Sequence, residues 1–325
     1  MGGAIGTRNT GSPSTNPRKG GRAARRETAP ANSMADFVYG GQAVIEGVMM
    51  RGPKDWAVAV RRPDQSIAVE RRANGSYESR YPWLRWPLLR GVVALVEALV
   101  VGIQALTYSA SQAAAEEEVH LSQRDIILTL VVALALAAGL FVLLPALLAN
   151  FLAARAAGGL ERNLIEGLIR MTFLGVYVVA IGRVGDIKRV FQYHGAEHKV
   201  INALEAGDDL SVDAVQKHSC HHPRCGTSFL LWVVLVAVLV FSLLGRQNIG
   251  AALVYRLLLT PVVAAISYEW LRLTGRYQRY AFWRLLAAPG RWLQGLTTRQ
   301  PDDHQVEVAI SALRAVFKKG ESIVQ

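Results

Sequence analysis

Two histidines lie four residues apart in the segment YHGAEHK, residues 193–199, in a chain of 325 residues that holds seven histidines. On a helix, residues i and i+4 share a face, so His194 and His198 could hold one metal ion between them. The H-x-x-E-H spacing is that of zinc enzymes in which both histidines bind the ion and the glutamate, here Glu197, is the general base. The segment therefore predicts a divalent metal site, with zinc as the expected ion and Glu197 as the catalytic residue. The alternative is a helix end that His194 and Glu197 merely cap and solvate.

A second group of metal-binding residue types lies in KHSCHHPRCGTSF, residues 217–229. A catalytic zinc typically has three protein ligands and one open position, so the histidine pair needs at least one more ligand. His222 and Cys225 have a two-residue ligand spacing, and the proline between them stiffens it. The spacing alone leaves open which residues of this group bind. The remaining candidates are His218, Cys220 and His221.

Three acidic residues are further candidates for the site. Glu205 follows the second histidine by seven residues, which places it on the same helix face. Glu46 lies in the apolar, glycine-bounded segment QAVIEG, where it either packs against a cation or serves a function. Glu269 lies near the end of an apolar run, and intramembrane acids are functional candidates by default. The alternative for Glu269 is an ion pair with Arg272 or Arg183.

Long apolar runs predict a membrane protein. The chain is 51% hydrophobic and 19% charged, whereas ordinary soluble domains have about 25% charged residues. Runs that are uncharged or nearly so fit transmembrane helices better than loops. The four runs are Leu128–Leu148, Leu168–Ile181, Phe229–Leu244 and Leu253–Trp270. For each run the alternative is a buried helix in a soluble core.

The distribution of basic residues predicts the topology. Lysines and arginines are frequent before the first run, between the second and third and after the fourth, but sparse in the other two connections. By the positive-inside rule, we expect the basic connections and both termini in the cytoplasm, in a multi-pass protein of the cell membrane. The net charge of +11 then reflects topology and attraction to the anionic lipid bilayer. Nucleic acid is not an expected partner, and both cysteines should be free thiols.

The segment Leu88–Leu106 is ambiguous between a surface helix and a fifth span. Polar residues recur in and after it every seven residues, which gives a narrow polar stripe on a helix. A spanning helix would bury Glu97 and would place every basic connection outside. We therefore expect an interfacial or re-entrant helix on the cytoplasmic surface. The polar residues are Arg90, Glu97, Gln104 and Ser111.

Composition divides the chain into five segments. The fold class that they predict is mainly α: a polytopic membrane protein with about four transmembrane helices, an interfacial amphipathic helix and a small N-terminal β-hairpin element. In the hairpin, WAVAVR and SIAVER flank an RPDQ turn. The tail has apolar residues at helical spacing after Pro301 and Asp302. The segments are a disordered basic arm (1–35), a small cytoplasmic β element (36–86), the interfacial helix with an acidic loop (87–121), the four-span domain with its cytoplasmic metal loop 186–227 (122–275) and a cytoplasmic amphipathic tail (276–325).

Five motifs spread from about Tyr39 to Val316 resemble the bacterial YqhQ family of predicted metal-dependent membrane proteins. The motifs are GGQAVIEGVMMRGP, FQYHGAEHK, HPRCGTSFL, ISYEWLR and LTTRQPDD. The resemblance implies that the recurring site positions are His194, Glu197, His198, His222 and Cys225. It also implies that His218, Cys220 and His221 are auxiliary. It does not imply a particular substrate.

These features favour a metal-dependent membrane enzyme of hydrolytic type, acting on a membrane protein or a lipid at the cytoplasmic surface. The alternative is a non-catalytic assembly factor or sensor with a structural metal; a transporter ranks third, because the chain has no detectable inverted repeats. A closed four-ligand site with Glu197 turned away would favour the structural role. An open fourth position with Glu197 within reach of it would favour the enzyme.

Reporter fusions after Leu210 and after Arg291 test the topology. Both points lie in connections that are rich in lysine and arginine, so a reporter that is active only in the cytoplasm should be active at both. An external signal at Leu210 would contradict the topology and would restore Leu88–Leu106 as a span.

Overall fold

The computed structural model describes residues 2, 39–74, 82–114, 123–152, 159–244 and 249–317. The described chain is mainly helical, with one antiparallel sheet near its start. The strands are β1 Gly40–Val44, β2 Gly47–Arg51, β3 Asp55–Arg61 and β4 Ile67–Ala73. The helices are α1 Leu89–Ala113, α2 Gln123–Ala138, α3 Leu144–Leu152, α4 Gly159–Ile181, α5 Gly185–Ala206, α6 Val212–Val215, α7 Gly226–Ser242, α8 Ile249–Arg276, α9 Ala281–Thr297 and α10 Asp303–Val316. The predicted disordered arm lies outside the described residues apart from Gly2, and so does the acidic run of the predicted 87–121 segment.

The sheet is an antiparallel meander in the order β1-β2-β3-β4. The predicted hairpin is confirmed as β3 and β4, with Trp56 opposite Arg72 and Arg61 opposite Ile67. The prediction missed β1 and β2, which a two-residue turn at Ile45 and Glu46 connects. The small N-terminal β element is therefore a four-stranded sheet rather than a single hairpin.

Both faces of the sheet are covered, which explains why the sequence of β2 and β3 is almost continuously apolar. One face packs against α5 and α10 through alternate residues such as Val48, Met50 and Ala59. The other face, which includes Met49 and Val58, packs against α1 around its buried residue Ala105. The sheet thus joins the helix that carries the histidine pair to α1 and to the C-terminal helix.

The two helices that pack together on the sheet have well-defined caps at the ends that meet the metal-side loops. α5 ends before Gly207, which adopts a left-handed conformation with φ 73° and whose N–H donates to Leu204 O. α10 begins after Asp302, whose side chain accepts from the N–H of Gln305 while the Gln305 side chain accepts from the N–H of Asp302. These caps fix where both helices start or stop and hence how they meet the sheet.

Two described helical segments are long and apolar enough to cross a membrane. They are Leu89–Ala113, which is α1, and Leu164–Ile181 within α4. Two further apolar segments, Ile127–Phe141 and Gly226–Ser242, are shorter. The structure therefore suggests membrane association, and the four predicted spans are not all matched by these criteria. The surface placement of α1 stays a prediction.

The two charged residues of the polar stripe of α1 pair within the chain, whereas Gln104 and Ser111 are exposed. Arg90 forms a bidentate ion pair with Glu269 of α8, and Glu97 pairs with Arg51 of β2 at 2.5 Å. The opposite side of α1 exposes large apolar residues, among them Leu99. Because both charges are compensated within the chain, Glu97 does not by itself exclude contact of α1 with the membrane core.

Exposed leucines cover the other apolar helices. Leu136 of α2 is 69% exposed, Leu168 of α4 is 70% exposed and Leu257 of α8 is 76% exposed. Soluble monomers rarely expose contiguous apolar surface on this scale. This distribution fits helices whose outer faces contact lipid rather than water.

Candidate metal centre

Three metal-binding side chains converge from two helices. His194 and His198 lie one turn apart on α5, with ring centroids 4.4 Å apart. Cys225 immediately precedes α7, and its Sγ lies 3.2 Å from His194 Nε2. One ligand atom from each of the three residues lies within 4.8 Å of the other two. The spacing of the histidine pair thus has the predicted consequence that both rings face one point.

Backbone carbonyl groups fix the tautomer of both histidines. His194 Nδ1 lies 2.9 Å from Thr297 O, and His198 Nδ1 lies 2.6 Å from Cys220 O. A carbonyl oxygen can only accept, so each Nδ1 carries a proton, and in the neutral ring Nε2 keeps its lone pair. Histidines that bind metals through Nε2 usually donate Nδ1–H to such a partner. Both rings are therefore oriented as ligands.

Cys225 is held by donors that suit a sulfur with negative charge. It is the N-cap of α7, and its Sγ accepts from the N–H of Thr227 at 3.4 Å. The Thr227 hydroxyl lies 3.1 Å from the same sulfur. A helix N-terminus also favours a negative charge. These contacts match the needs of a metal-bound thiolate.

The group fits a zinc-type ion in both chemistry and size. Zinc binds imidazole nitrogen and thiolate sulfur at about 2.0–2.3 Å, so two tetrahedral ligands lie roughly 3.3–3.8 Å apart. The ligand-atom separations here, from 3.2 Å to at most 4.8 Å, need only small shifts. Among the described residues, no fourth His, Cys, Asp or Glu belongs to the group. The three side chains could thus act as ligands of one ion.

His222, the fourth expected ligand, lies beside this group rather than in it. Its ring centroid is 5.9 Å from that of His198. His222 Nε2 lies 3.4 Å from Glu205 Oε2, and Nδ1 accepts from the N–H of Arg224. Gln294 bonds both the N–H and the carbonyl of His222 and so fixes its backbone. In this structure His222 is engaged in holding the loop that carries Cys225.

Glu197, the predicted general base, is buried but belongs to another face of α5. It is 5% exposed. A Cβ on Gly41 of β1 would lie 3.1 Å from Glu197 Cγ, so the side chain packs against the start of the sheet. None of the described hydrogen bonds or ion pairs involves its carboxylate. Glu197 therefore adjoins the ligands along the helix without being one of the grouped ligands.

The three acidic candidates all pair with arginines. Glu46, in a strained turn with φ 51°, accepts a hydrogen bond from Arg189 Nε at 2.5 Å. Glu205 pairs with Arg224; although burial opposes the shift, the hydrogen bond from His222 and the charge of Arg224 lower its pKa. Glu269 does form an ion pair, but with Arg90 of α1 rather than with Arg272 or Arg183. A pairing across 179 positions leaves no local signal in the sequence.

Glu46, in the turn between β1 and β2, also contacts Tyr193 of α5. The Tyr193 hydroxyl lies 3.4 Å from Glu46 Oε2. Burial and the Glu46 charge together raise the pKa of Tyr193, so the phenol stays neutral. Glu46 thus fixes the sheet to the N-terminal half of the ligand helix.

The three auxiliary candidates of the loop make contacts outside the ligand group. His218 Nε2 lies 3.0 Å from Asp208 Oδ2. Cys220 holds His198 through its carbonyl while its thiol donates to Gln300, and burial raises the pKa of that thiol. Burial also lowers the pKa of His221. None of the three belongs to the ligand group.

Two residues within the motif have roles that the sequence reading missed. Lys199 is 2% exposed, and its ammonium group donates to the carbonyls of Gln216 and His218 at 2.6 and 2.7 Å. A Cβ on Gly195 would lie 2.1 Å from Arg299 O, so only glycine lets the 297–300 segment approach the histidines. In the sequence, the available signal was the glycine between the two histidines and the lysine directly after the second.

Comparisons with known proteins agree with the resemblance seen in the motifs. A family profile described as a protein of unknown function, DUF1385, matches residues 86–319, which include the whole ligand group. The uncharacterized protein YqhQ of Bacillus subtilis strain 168 is 35% identical over 293 residues, covering 86% of this chain and 92% of that protein. No solved structure matches.

The two cysteines should respond differently to zinc. With zinc bound, Cys225 should resist alkylation by N-ethylmaleimide, and a chelator should restore its reactivity, because a metal-bound thiolate is not free to attack. Cys220 should react at the same rate in both states, slowly near neutral pH and faster as the pH rises towards its raised pKa. Mass spectrometry of the labelled peptides separates the two sites. Protection of Cys220 instead, or equal reactivity of both thiols with zinc bound, would remove Cys225 from the centre.

Proposed function

The chain belongs to the DUF1385 family of proteins of unknown function, and we propose that it is a membrane protein that binds one zinc-type divalent ion through His194, His198 and Cys225. The observation that carries this proposal is the orientation of the histidines. Each donates Nδ1–H to a carbonyl, which leaves Nε2 as the atom that can bind an ion, and His194 Nε2 lies 3.2 Å from Cys225 Sγ. Accidental neighbours in a core have no reason to share this arrangement with a helix-capping thiol.

We place the metal centre at the cytoplasmic end of a four-span bundle with both termini inside. Gly167 near the start of α4 packs against Val238 near the end of α7, so these helices are antiparallel. The chain from the end of α4 to Cys225 therefore lies at one end of the pair. The basic residues of this connection support the cytoplasmic side. The lipid bilayer is the first partner.

The function that we favour is hydrolysis at the membrane surface, with a membrane protein or a lipid as substrate. A bound zinc-type ion supplies Lewis acidity, which polarises the scissile group and makes water a better nucleophile. With three protein ligands, a zinc-type ion would keep one position for substrate or water. Glu197 would accept the proton of the attacking water once its side chain turned from Gly41 towards the ligand group.

A structural metal in an assembly factor or sensor is the second candidate. The packing of Glu197 against Gly41 favours it, because that contact directs the side chain to the sheet. In this case the ion would fix the Cys225 loop against α5, and no proton transfer would be needed. The two candidates differ in what Glu197 does.

Two substitutions separate these candidates. Glu197→Gln keeps size and leaves the imidazoles in place but cannot accept a proton. On the enzyme proposal its metal content should stay near wild type while activity falls by about 10² to 10⁴. His198→Ala should lose the metal. Metal content of the purified proteins and complementation of a deletion strain are the two readouts.

The matched control is Asp186→Asn, an exposed acid in the first turn of the same helix, which should behave as wild type in both readouts. Full complementation by Glu197→Gln at normal metal content would contradict the enzyme proposal and support the structural role. Normal metal content in His198→Ala would contradict the metal centre itself.

A further inference from the structure

Helix α9 crosses the end of the helix bundle at which the ligand group lies. It follows α8 after a short connection, residues 277–280. A Cβ on Gly290 would lie 2.7 Å from Ser228 in the first turn of α7, so α9 touches α7 there. At its last residue, the carbonyl of Thr297 accepts from His194. The helix thus passes from the end of α8, over the start of α7, to the ligand group.

The exposed surface of α9 divides into an apolar and a basic face. Phe282, Leu285 and Trp292 form the apolar face; they are 63%, 72% and 73% exposed and recur at helical spacing. Arg284 and Arg291 form the basic face, about 120° round the helix from the apolar one. An ordinary surface helix buries its apolar face. In α9 a third face provides the contact with the protein: Ala287, Gly290, Leu293, Gln294 and Thr297.

The contacts of α9 show which way its basic face is turned. A Cβ on Gly295, which borders the basic face, would lie 4.0 Å from His221 Nε2. This side of α9 therefore faces the loop that precedes Cys225. The apolar face is turned from that loop and lies next to the ends of the apolar helices.

An aromatic cluster surrounds the start of α9. The ring centroid of Trp283 lies 6.3 Å from that of Trp270 in α8 and 5.7 Å from that of Tyr277. Trp270 in turn lies 5.1 Å from Trp232 of α7. Tryptophan and tyrosine are enriched where a membrane meets water, because each ring combines an apolar body with a polar group. The cluster indicates that the junction of α8 and α9 lies at this level.

The charge around α9 has one sign. Positions 270–301 contain six arginines and no acidic residue. Arg284 donates to the carbonyl of Arg279, and Arg291 donates to Gln278 Oε1 and to the carbonyl of Arg284, all of them neutral acceptors. No ion pair among the described residues involves either guanidinium group. Uncompensated basic residues at a membrane surface are attracted to anionic lipid.

We propose that α9 lies in the bilayer interface, where its apolar face contacts acyl chains and its basic face binds the headgroups of anionic phospholipids. Helices with Trp, Phe and Leu on one face and basic residues on another lie in this plane. The proposal rests on the membrane part of the proposed function and does not depend on the metal. A second copy of the chain on the apolar face would bring the same arginines to the contact, which disfavours it.

This position of α9 has a consequence for the ligand group. Trp292 precedes Thr297 by five residues, about 7.5 Å along the helix axis. Because Thr297 holds His194, a helix anchored in the interface would keep the ligand group close to the lipid headgroups.

An environment-sensitive fluorescent label tests the position of α9 in the full chain. The label would be attached at Leu285→Cys, or at Asp209→Cys as the control, in a Cys220→Ser parent whose own signal is subtracted. Asp209 is exposed and lies beyond the end of α5. In vesicles of phosphatidylglycerol and phosphatidylcholine, brominated acyl chains should quench the label at 285 several-fold more than that at 209. Equal quenching would overturn the proposal, and a dimer cross-linked efficiently through Leu285→Cys would assign the apolar face to a second copy instead.

The choice of lipid tests the basic face. Native mass spectrometry of the full chain in a neutral maltoside detergent would compare binding of phosphatidylglycerol with that of phosphatidylcholine. Arg284→Gln and Arg291→Gln should each reduce the preference for phosphatidylglycerol by about fivefold. Lys217→Gln, at an exposed lysine of the loop before α7, is the matched control and should bind as wild type. No preference in the wild type, or an unchanged preference in both arginine variants, would overturn the proposal.

Carbonate extraction separates this proposal from the proposed function. The wild type and both arginine variants should stay in the membrane fraction, because the spans hold them there, and all three should keep their metal. Release of the wild type by carbonate would contradict the spans, whereas quenching of the label at 285 in the presence of vesicles would still decide whether α9 contacts lipid.

Discussion

Side chains of α5 satisfy the carbonyl groups of the loop before Cys225 and the carbonyl of Thr297 at the end of α9. His198, Lys199 and Asn202 donate to carbonyls between Gln216 and His221, and His194 donates to Thr297. Buried carbonyls without such partners would be costly. These hydrogen bonds place the loop that carries Cys225 against the helix and set both histidine tautomers at once. The ligand group, the course of the loop and the approach of the 297–300 segment all depend on them.

α5 also connects the ligand group to the sheet by packing. Its other face, with Tyr193 and Val200, is buried against the strands and α10. The sheet in turn packs on α1, whose charges pair with β2 and α8. The ligand group is therefore supported by packed elements rather than by the loop alone. A site of this kind can hold ligands close together before an ion arrives.

Local patterns predicted the local parts of this structure. The hairpin of β3 and β4, the end of α5 at Gly207 and the start of α10 at Asp302 follow from turn and cap residues. The i, i+4 spacing placed His194 and His198 on one face. What the sequence could not provide were pairings between distant segments. Glu269 with Arg90 and the covering of both sheet faces are tertiary contacts without a local signature.

Only the structure shows which residues of the loop belong to the ligand group. Six positions, 220–225, hold two cysteines and two histidines, and their spacing fits several ligand sets. Only the helix cap at Cys225 and the partners of His222 distinguish a sulfur that faces the histidines from a ring that holds the loop. Likewise, the packing of Glu197 on Gly41 depends on where β1 lies.

X-ray absorption at the zinc edge of the metal-loaded protein tests the central claim most directly. The account predicts one ion per chain with one sulfur neighbour at about 2.3 Å and nitrogen neighbours at about 2.0–2.1 Å. The sulfur contribution should vanish in Cys225→Ser and persist in Cys220→Ser. A spectrum without sulfur in the wild type, or sulfur that persists in Cys225→Ser, would contradict it.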